Sequence, residues 1–130
     1  ALRPGVRVSL LGLLRHRGAI ADVYRPTTAD GVGGLVDVTW PAAPVSRNVR
    51  VLPDVIADEL AQKLFGREAV VDVRLVVALD VDVAKDDGVA IRTGEYAGQR
   101  FRVTAAVPQT VRGRSQHREV ACERTTEVFG

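Results

Sequence analysis

The feature that most constrains this chain is a two-residue alternation of apolar and polar side chains, which recurs along most of its 130 residues. Successive side chains of a β-strand point to opposite faces, so such runs are typical of strands with one face buried. The alternation predicts strands at residues 4–15, 18–24, 35–40, 45–52, 70–83, 89–91, 101–105 and 118–124. This count indicates a mainly β fold, either a small antiparallel β-barrel or a sandwich.

One segment, residues 53–65, is patterned as an amphipathic helix instead. Pro53 opens the segment, and proline suits the first turn of a helix. Gly66 stands where a left-handed cap is expected. Acidic residues lie near the predicted N-terminal end and Lys63 near the C-terminal end, as the helix dipole favours. The row formed by Ile56, Leu60 and Leu64 is therefore predicted to pack on the sheet.

The predicted core anchors combine that helical row with three residues of the strands. They are Trp40, Ile56, Leu60, Leu64, Phe101 and Val103. The flanking valines favour a core or barrel-rim position for Trp40 over a ligand-stacking role.

Length and composition fit a single globular domain over residues 1–130, with a helix-containing insertion and a short C-terminal tail. Apolar residues make up 46% of the chain and charged residues 26%. No apolar run approaches the roughly 20 residues of a membrane span. The apolar pair Val128–Phe129 is expected to dock on this domain or on a neighbour. The single cysteine, Cys122, suits a reducing cytoplasm or a virion assembled there.

The residues that most often carry catalysis or hold metals do not form recognisable motifs. His16 and His117 are far apart in sequence, and neither has a His or Cys at metal-ligand spacing. Cys122 lies within an alternating strand, where a small core residue is the favoured interpretation. The aspartates between positions 80 and 87 fail the calcium-loop pattern, because Ala84 and Lys85 occupy the places of a ligand and of the glycine. We therefore predict a protein that is not an enzyme and uses no cofactor or metal.

A basic segment near the C-terminus is the predicted contact site. Pro108 is expected to end its strand, so that residues 109–117 form a polar loop. The candidate contact residues are Arg112, Arg114, His117 and Arg118. Three interpretations stay open: a solvated loop, a contact with acidic side chains of a neighbouring subunit or ring, and a lining of a DNA channel. The net charge of only +2 favours the protein neighbour over nucleic acid.

Residues 88–103, GVAIRTGEYAGQRFRV, resemble the KOW element of small SH3-like barrels in ribosomal and transcription proteins. That element consists of a strand, a turn with an aromatic residue and a glycine, and a second strand. The resemblance implies binding of RNA or DNA, and it is the alternative function.

A resemblance over nearly the whole chain concerns the order of its segments. LRPGVRVSLLG is followed by a Gly-rich hairpin, a strand ending in Trp40, an FRV strand, a basic segment and the strand REVACER. This order is similar to that of head-closure or stopper proteins of tailed bacteriophages, also called head-tail connector proteins.

The resemblance implies a β-barrel that assembles into a homo-oligomeric ring in the neck of the virion. The ring would lie between the portal or adaptor above and the tail terminator or tail tube below. It would retain packaged DNA, with DNA in the channel as a possible contact, and provide the docking surface for the tail. The protein would be made in the cytoplasm of the bacterial host. The resemblance carries over no catalytic residue, and the helix at residues 53–65 departs from the family pattern.

Overall fold

The fold was analysed in a computed structural model, which describes residues 18–67, 70–111 and 114–129. The strand predicted at residues 4–15 lies outside the described residues. Eight strands and one α-helix follow along the described chain. They are β1 (Ala19–Tyr24), β2 (Thr27–Asp30), β3 (Val36–Thr39), β4 (Ser46–Asp54), α1 (Asp58–Phe65), β5 (Val73–Ala78), β6 (Gly88–Ile91), β7 (Arg100–Val111) and β8 (Arg114–Arg124).

Six of these strands close into an antiparallel barrel in the order β1-β4-β5-β8-β7-β6. The seam is the pairing of β1 with β6, in which Ala21 lies opposite Ile91. The predicted mainly β fold with one short helix is confirmed, and the closed ring of hydrogen-bonded strands decides for a barrel over a sandwich. The remaining strands, β2 and β3, pair only with each other in the described chain and form a separate two-stranded sheet.

The core fills the barrel interior, and the two-residue period explains it. In β5, Val73, Leu75 and Val77 point inward and are buried, while the residues between them are half-exposed. Phe101 and Val103 of β7 have no exposed surface and lie in the same cluster. Each such side chain contributes about 1.5–3 kcal/mol by leaving water, so the barrel interior is the main source of stability.

The helix is shorter than the sequence predicts, and its start is corrected to Asp58. Pro53 and Asp54 instead extend β4, where they lie opposite Leu75 and Arg74 of β5. The described pairing of β4 with β1 ends at Val51, and among the described residues Pro53 is paired only with β5, an arrangement that accommodates a missing N–H. The helix ends at Phe65 as predicted, and the N–H of Gly66 donates to the carbonyl of Gln62 at 3.0 Å. Gly66 has a positive φ of 95°, but with a ψ of 166° it does not adopt the left-handed helical conformation that was expected.

The side of the helix that packs on the barrel also differs from the prediction. Leu60, a predicted anchor, is 40% exposed, and Ile56 and Leu64 are only half-buried. The one buried residue of the helix is Ala61. An eight-residue helix makes barely two turns, so a small side chain on the contacting side lets its backbone approach the barrel, and the larger leucines lie at the margins.

This placement predicts different costs for the same substitution at neighbouring helix positions. Ala61→Asp is expected to destabilise the fold by about 2–3 kcal/mol, because it buries a carboxylate without a partner. Leu60→Asp, at an exposed position, should cost less than about 1 kcal/mol. Urea unfolding of the two variants measures the difference. Equal losses of unfolding free energy in the two variants would contradict the packing through Ala61 and would support the predicted contact through Leu60.

The Gly-rich segment at residues 26–34, which is not among the strands predicted from the sequence, contains a strand. Residues 27–30 form β2, and a short 3-10 turn over residues 32–34 leads into β3. Gly33 and Gly34 have φ values of +77° and +79°, which glycine adopts without strain. The glycines therefore make a hairpin turn, and the residues before them are free to pair.

Candidate assembly surface

The basic segment near the C-terminus is the outer part of a long β-hairpin. The sequence interpretation of residues 109–117 as a loop is wrong, because β7 continues to Val111 and β8 begins at Arg114. Pro108 does not end β7. At Pro108 the described pairing of β7 is with β8 alone, and a strand paired on one side accommodates proline.

This hairpin extends beyond the strands beside it. The last described pair between β5 and β8 joins Ala78 to His117. Two further rungs follow within the hairpin, Thr110 with Ser115 and Val111 with Arg114. Two rungs correspond to roughly 7 Å of strand, so the hairpin extends past the last described β5–β8 pair by about this length, up to Val111 and Arg114. A register shift near Gln109 leaves Gln116 unpaired, which is a β-bulge that increases the local twist.

The structure places the four predicted contact residues differently from one another. Arg112 lies outside the described residues, and Arg114 is described only as the backbone residue of β8 opposite Val111. His117 and Arg118 are half-buried neighbours on β8. Adjacent residues of a strand point to opposite faces, so His117 and Arg118 do not form one charged patch.

Arg118 and His117 also have contacts within the protomer. The Nε of Arg118 donates to the carbonyl oxygen of Leu79 at 3.0 Å. The Nε2 of His117 lies 4.0 Å from Oε1 of Glu119. Arg118 therefore fixes the base of the hairpin to the segment after β5, and it is less available to a partner than the sequence suggests.

Glu119 belongs to an ion cluster across three barrel strands. Only 6% of Glu119 is exposed, and its Oε1 accepts a hydrogen bond of 2.9 Å from Arg74. The same guanidinium donates to both carboxylate oxygens of Asp54, at 3.0 and 2.6 Å. These hydrogen bonds, led by those to Asp54, raise the pKa of Arg74. Two-pronged Arg–carboxylate contacts fix geometry as well as charge, so this cluster clamps β4, β5 and β8 together.

A second ion cluster joins the end of β1 to the loop between β5 and β6. Arg25 donates to both carboxylate oxygens of Asp82 and both of Asp87, at distances between 2.9 and 3.2 Å. Asp87 is only 1% exposed and also accepts the N–H of Ala84. The hydrogen bonds from Arg25 lower the pKa of Asp82. These aspartates, considered as calcium ligands in the sequence, thus bind a guanidinium.

The β2–β3 ribbon carries the most exposed group of large apolar side chains in the described chain. Leu35, Val36 and Val38 are 71%, 61% and 53% exposed. All four residues of β3 are exposed, and the ribbon pairs with no other strand among the described residues. Exposed apolar side chains grouped on one element mark a surface that gains stability when a partner covers it.

The base of the ribbon is tied to the barrel by an aromatic cluster. The Trp40 ring lies 4.4 Å from the Phe129 ring, centroid to centroid, and Tyr24 packs on Phe129 at 5.9 Å. The indole Nε1 of Trp40 donates to Glu127 at 3.0 Å. Trp40 thus lies half-buried at the barrel rim, and the buried Phe129 docks the C-terminal segment on its own domain.

The described residues contain neither a cluster of metal ligands nor an accessible cysteine. No group of three His, Cys, Asp or Glu side chains within residues 18–67, 70–111 and 114–129 is arranged to hold a metal ion. Cys122 is fully buried, and burial raises the pKa of its thiol.

No helix in the part of the chain that the structure describes is long and apolar enough to cross a membrane.

Comparison with solved structures gives two similar folds. The first is protein SF1141 from Shigella flexneri 2a, with a TM-score of 0.59 and 15% identity, covering 87% of this chain and 99% of that one. The second is the protein xkdH of the phage-like element PBSX from Bacillus subtilis, with a TM-score of 0.49 and 14% identity, covering 82% and 93%. No family model and no curated protein matches the sequence. At these identities the likeness to SF1141 defines the fold alone, and the weaker likeness to xkdH adds no argument.

Two features of this surface were missed by sequence reasoning. The first is the exposure of the ribbon: the sequence predicts a Gly-rich hairpin and the strand ending in Trp40, but the valines of β3 alternate as in a core strand, so their exposure carries no sequence signal. The Arg25 cluster had no sequence signal, because its partners lie 57 and 62 residues further along the chain.

Proposed function

We propose that this chain is a structural protein of the tailed-bacteriophage neck. It assembles into a homo-oligomeric ring between the portal or adaptor and the tail, retains packaged DNA, and presents the surface on which the tail docks. The observation that carries the proposal is the β2–β3 ribbon, whose Leu35, Val36 and Val38 are exposed on a sheet that is not part of the barrel wall. In a ring, a second copy of the chain covers these side chains.

The sequence order supports the same class of protein. The Gly-rich segment, Trp40 and the two C-terminal segments on which the resemblance rests correspond to the ribbon, the barrel rim and the β7–β8 hairpin. Phe101, Val103, Val120 and Cys122 of these segments lie in the barrel core, whereas the ribbon, Trp40 and the outer part of the hairpin lie at the barrel rim or beyond the last described β5–β8 pair. A protein that acts by assembly needs its distinguishing residues at such places.

The pairing of charges favours a protein partner over general nucleic-acid binding. Arg25, Arg74, Arg92 and Arg102 all form salt bridges with carboxylates of the same chain. Cations neutralised in this way add little to the phosphate attraction that dominates nucleic-acid affinity. The KOW-like alternative, a small barrel that binds RNA or DNA, therefore has less support. Binding of DNA by the free protein would favour it. An enzymatic activity is not part of the proposal.

The location is tested by electron microscopy of virions of the phage that carries this gene. Density for this barrel in a ring at the neck is the expected result. Finding the protein elsewhere in the particle, or absent from virions, would overturn the proposal.

The contact role of the ribbon is tested by complementing a phage that lacks this gene with variants. Val36→Ser together with Val38→Ser removes two apolar side chains, each worth about 1.5 kcal/mol or more when covered, so joining of heads to tails should fall by more than about tenfold.

Replacing Arg112 and Arg114 by alanine is expected to block joining while the free protein stays folded. The matched control is Arg50→Ala, an exposed position on β4.

Plaque titre and counts of unjoined heads measure the effect. Normal joining in the ribbon variant would count against the proposed ring contact. Tight, salt-sensitive binding of DNA by the free protein, lost in the Arg112/Arg114 variant, would promote the KOW-like alternative.

A further inference from the structure

One cleft at the end of the barrel differs from the others in charge. It has a volume of about 620 Å³ and lies where β7 begins and β8 ends. Its lining residues are Gly98, Gln99, Arg100, Arg124, Thr125 and Thr126. It contains two arginines and no carboxylate, whereas three other clefts among the described residues each contain at least two acidic side chains.

The two arginines of this cleft lack the carboxylate partners that neutralise four other arginines of the described chain. Neither Arg100 nor Arg124 forms a salt bridge with a described residue, in contrast to Arg25, Arg74, Arg92 and Arg102. The nearby Asp72 accepts the backbone N–H of Arg124 at 2.9 Å, and its side chain does not line the cleft. In a chain of nearly balanced charge, this leaves a local excess of two positive charges facing one cavity.

Hydroxyl and amide groups complete the cleft. The Thr125 hydroxyl oxygen accepts the N–H of Glu127 at 3.2 Å, which leaves its own hydrogen available to donate. Thr126 places a second hydroxyl on the same wall. The side-chain oxygen of Gln99 is shielded from solvent and has no hydrogen-bond partner among the described residues. Since the oxygen and nitrogen of an amide exchange places by rotation, Gln99 can offer an N–H donor there.

The strand pairing holds these groups in place. Phe101 lies opposite Arg124, and the N–H of Thr125 donates to the carbonyl of Arg100 at 3.1 Å. The turn before β7 is fixed by hydrogen bonds from Gly98 to Ile91 and from Gln99 to Tyr96. Gly98 has a φ of +83° and no atom near the place of a Cβ, so it leaves the wall of the cleft open.

We infer that this cleft is a binding site for an oxyanion of the phosphate class. Guanidinium groups match the geometry of phosphate oxygens with paired hydrogen bonds, and hydroxyl and amide donors are the usual additional ligands. The phosphate comes either from a free phosphorylated compound or from the phosphodiester backbone of DNA. The inference does not rest on the proposed neck function, because it concerns only groups within one protomer.

The first experiment titrates the full chain with inorganic phosphate at constant ionic strength and follows the backbone amide resonances by NMR. Saturable shifts are expected at Gln99, Arg100, Thr125 and Thr126. Arg100→Gln and Arg124→Gln should each weaken binding about tenfold, since a hydrogen bond to a charged group is lost. Arg50→Gln is the matched control, because Arg50 lies in a cleft that also contains Asp80 and Asp82.

The second experiment replaces phosphate by a short DNA duplex of arbitrary sequence and measures fluorescence anisotropy over a range of salt concentrations. Binding of the duplex, with a salt slope that falls by about one in each arginine variant, identifies the phosphodiester backbone as the source. Binding of phosphate without the duplex identifies a small phosphorylated ligand.

Two results would overturn the inference. One is the absence of saturable binding of either probe to the folded protein. The other is equal weakening by Arg50→Gln, which would indicate general ionic attraction. Thermal unfolding checks that the variants are folded, and neither Arg100 nor Arg124 has a described salt bridge whose loss would confuse the result.

Discussion

Replacing Arg25 by alanine is expected to destabilise the protein by about 3 kcal/mol, because Asp87 would keep a buried charge without its counter-ion. Asp87 is 1% exposed and receives two hydrogen bonds from this guanidinium. Arg25 also binds Asp82, so a single side chain holds the loop between β5 and β6 against the end of β1. Arg25→Lys keeps the charge and loses the two-pronged geometry, so its cost should be intermediate.

The dependence on pH gives this prediction a second measurement. Arg25 lowers the pKa of Asp82 in the folded protein, chiefly by hydrogen bonding. A carboxyl whose pKa is lower in the folded state adds stability above its unfolded pKa, near 4, and this stability is lost as the pH falls through the folded value. The loss of stability on acidification should therefore be smaller in Arg25→Ala than in the unchanged protein.

Chemical unfolding between pH 3 and pH 7 measures both effects, with Arg50→Ala as the control. A cost within about 0.5 kcal/mol at neutral pH, as for an ordinary surface change, would contradict this account of the cluster.

Gly88→Ala is expected to release the C-terminal segment from the barrel and to cost about 3 kcal/mol. A Cβ at position 88 would lie 2.6 Å from the Cε1 atom of Phe129, which real side chains do not tolerate. The ring is buried against Tyr24 and Trp40, so its expulsion removes the same contacts as Phe129→Ala, a loss of about 3 kcal/mol for a large aromatic residue.

A double-mutant cycle separates this mechanism from an unrelated effect of each change. If Gly88→Ala already expels the ring, adding Phe129→Ala should cost little more, so the two losses should not add. The emission of Trp40, the only tryptophan, reports the release of the ring directly. Additive losses together with unchanged Trp40 fluorescence would refute the proposed clash.

The two-residue period predicted the six barrel strands with approximate bounds, but it missed β2 and did not identify the partner of any strand. Val73, Leu75 and Val77 identify β5 and its buried face from local sequence alone. Closure of the barrel depends on pairs such as Ala21 with Ile91, which are distant in sequence and leave no local pattern. The choice between barrel and sandwich was therefore not available from the sequence.

The errors at the helix and at the hairpin have one physical origin. Proline suits the first turn of a helix and also a strand that is paired on one side, so Pro53 and Pro108 were assigned by local preference and corrected by pairing. Leu60 was assigned to the core by its helical row, whereas the side of a short helix that packs is set by what lies beneath it. The pairing of charged side chains was the least predictable feature, because each ion cluster joins residues that are distant in sequence.

The order of strands in the barrel has a consequence for a chain that is still being synthesised. β7 and β8, the last strands in sequence, lie between β6 and β5. Until the ribosome has released residue 124, β5 lacks β8 and β6 lacks β7, and the wall of the nascent barrel has a gap two strands wide. The β7–β8 hairpin fills that gap, so the residues that close the cylinder and the pairs that extend past β5, up to Val111 with Arg114, are added to the barrel together.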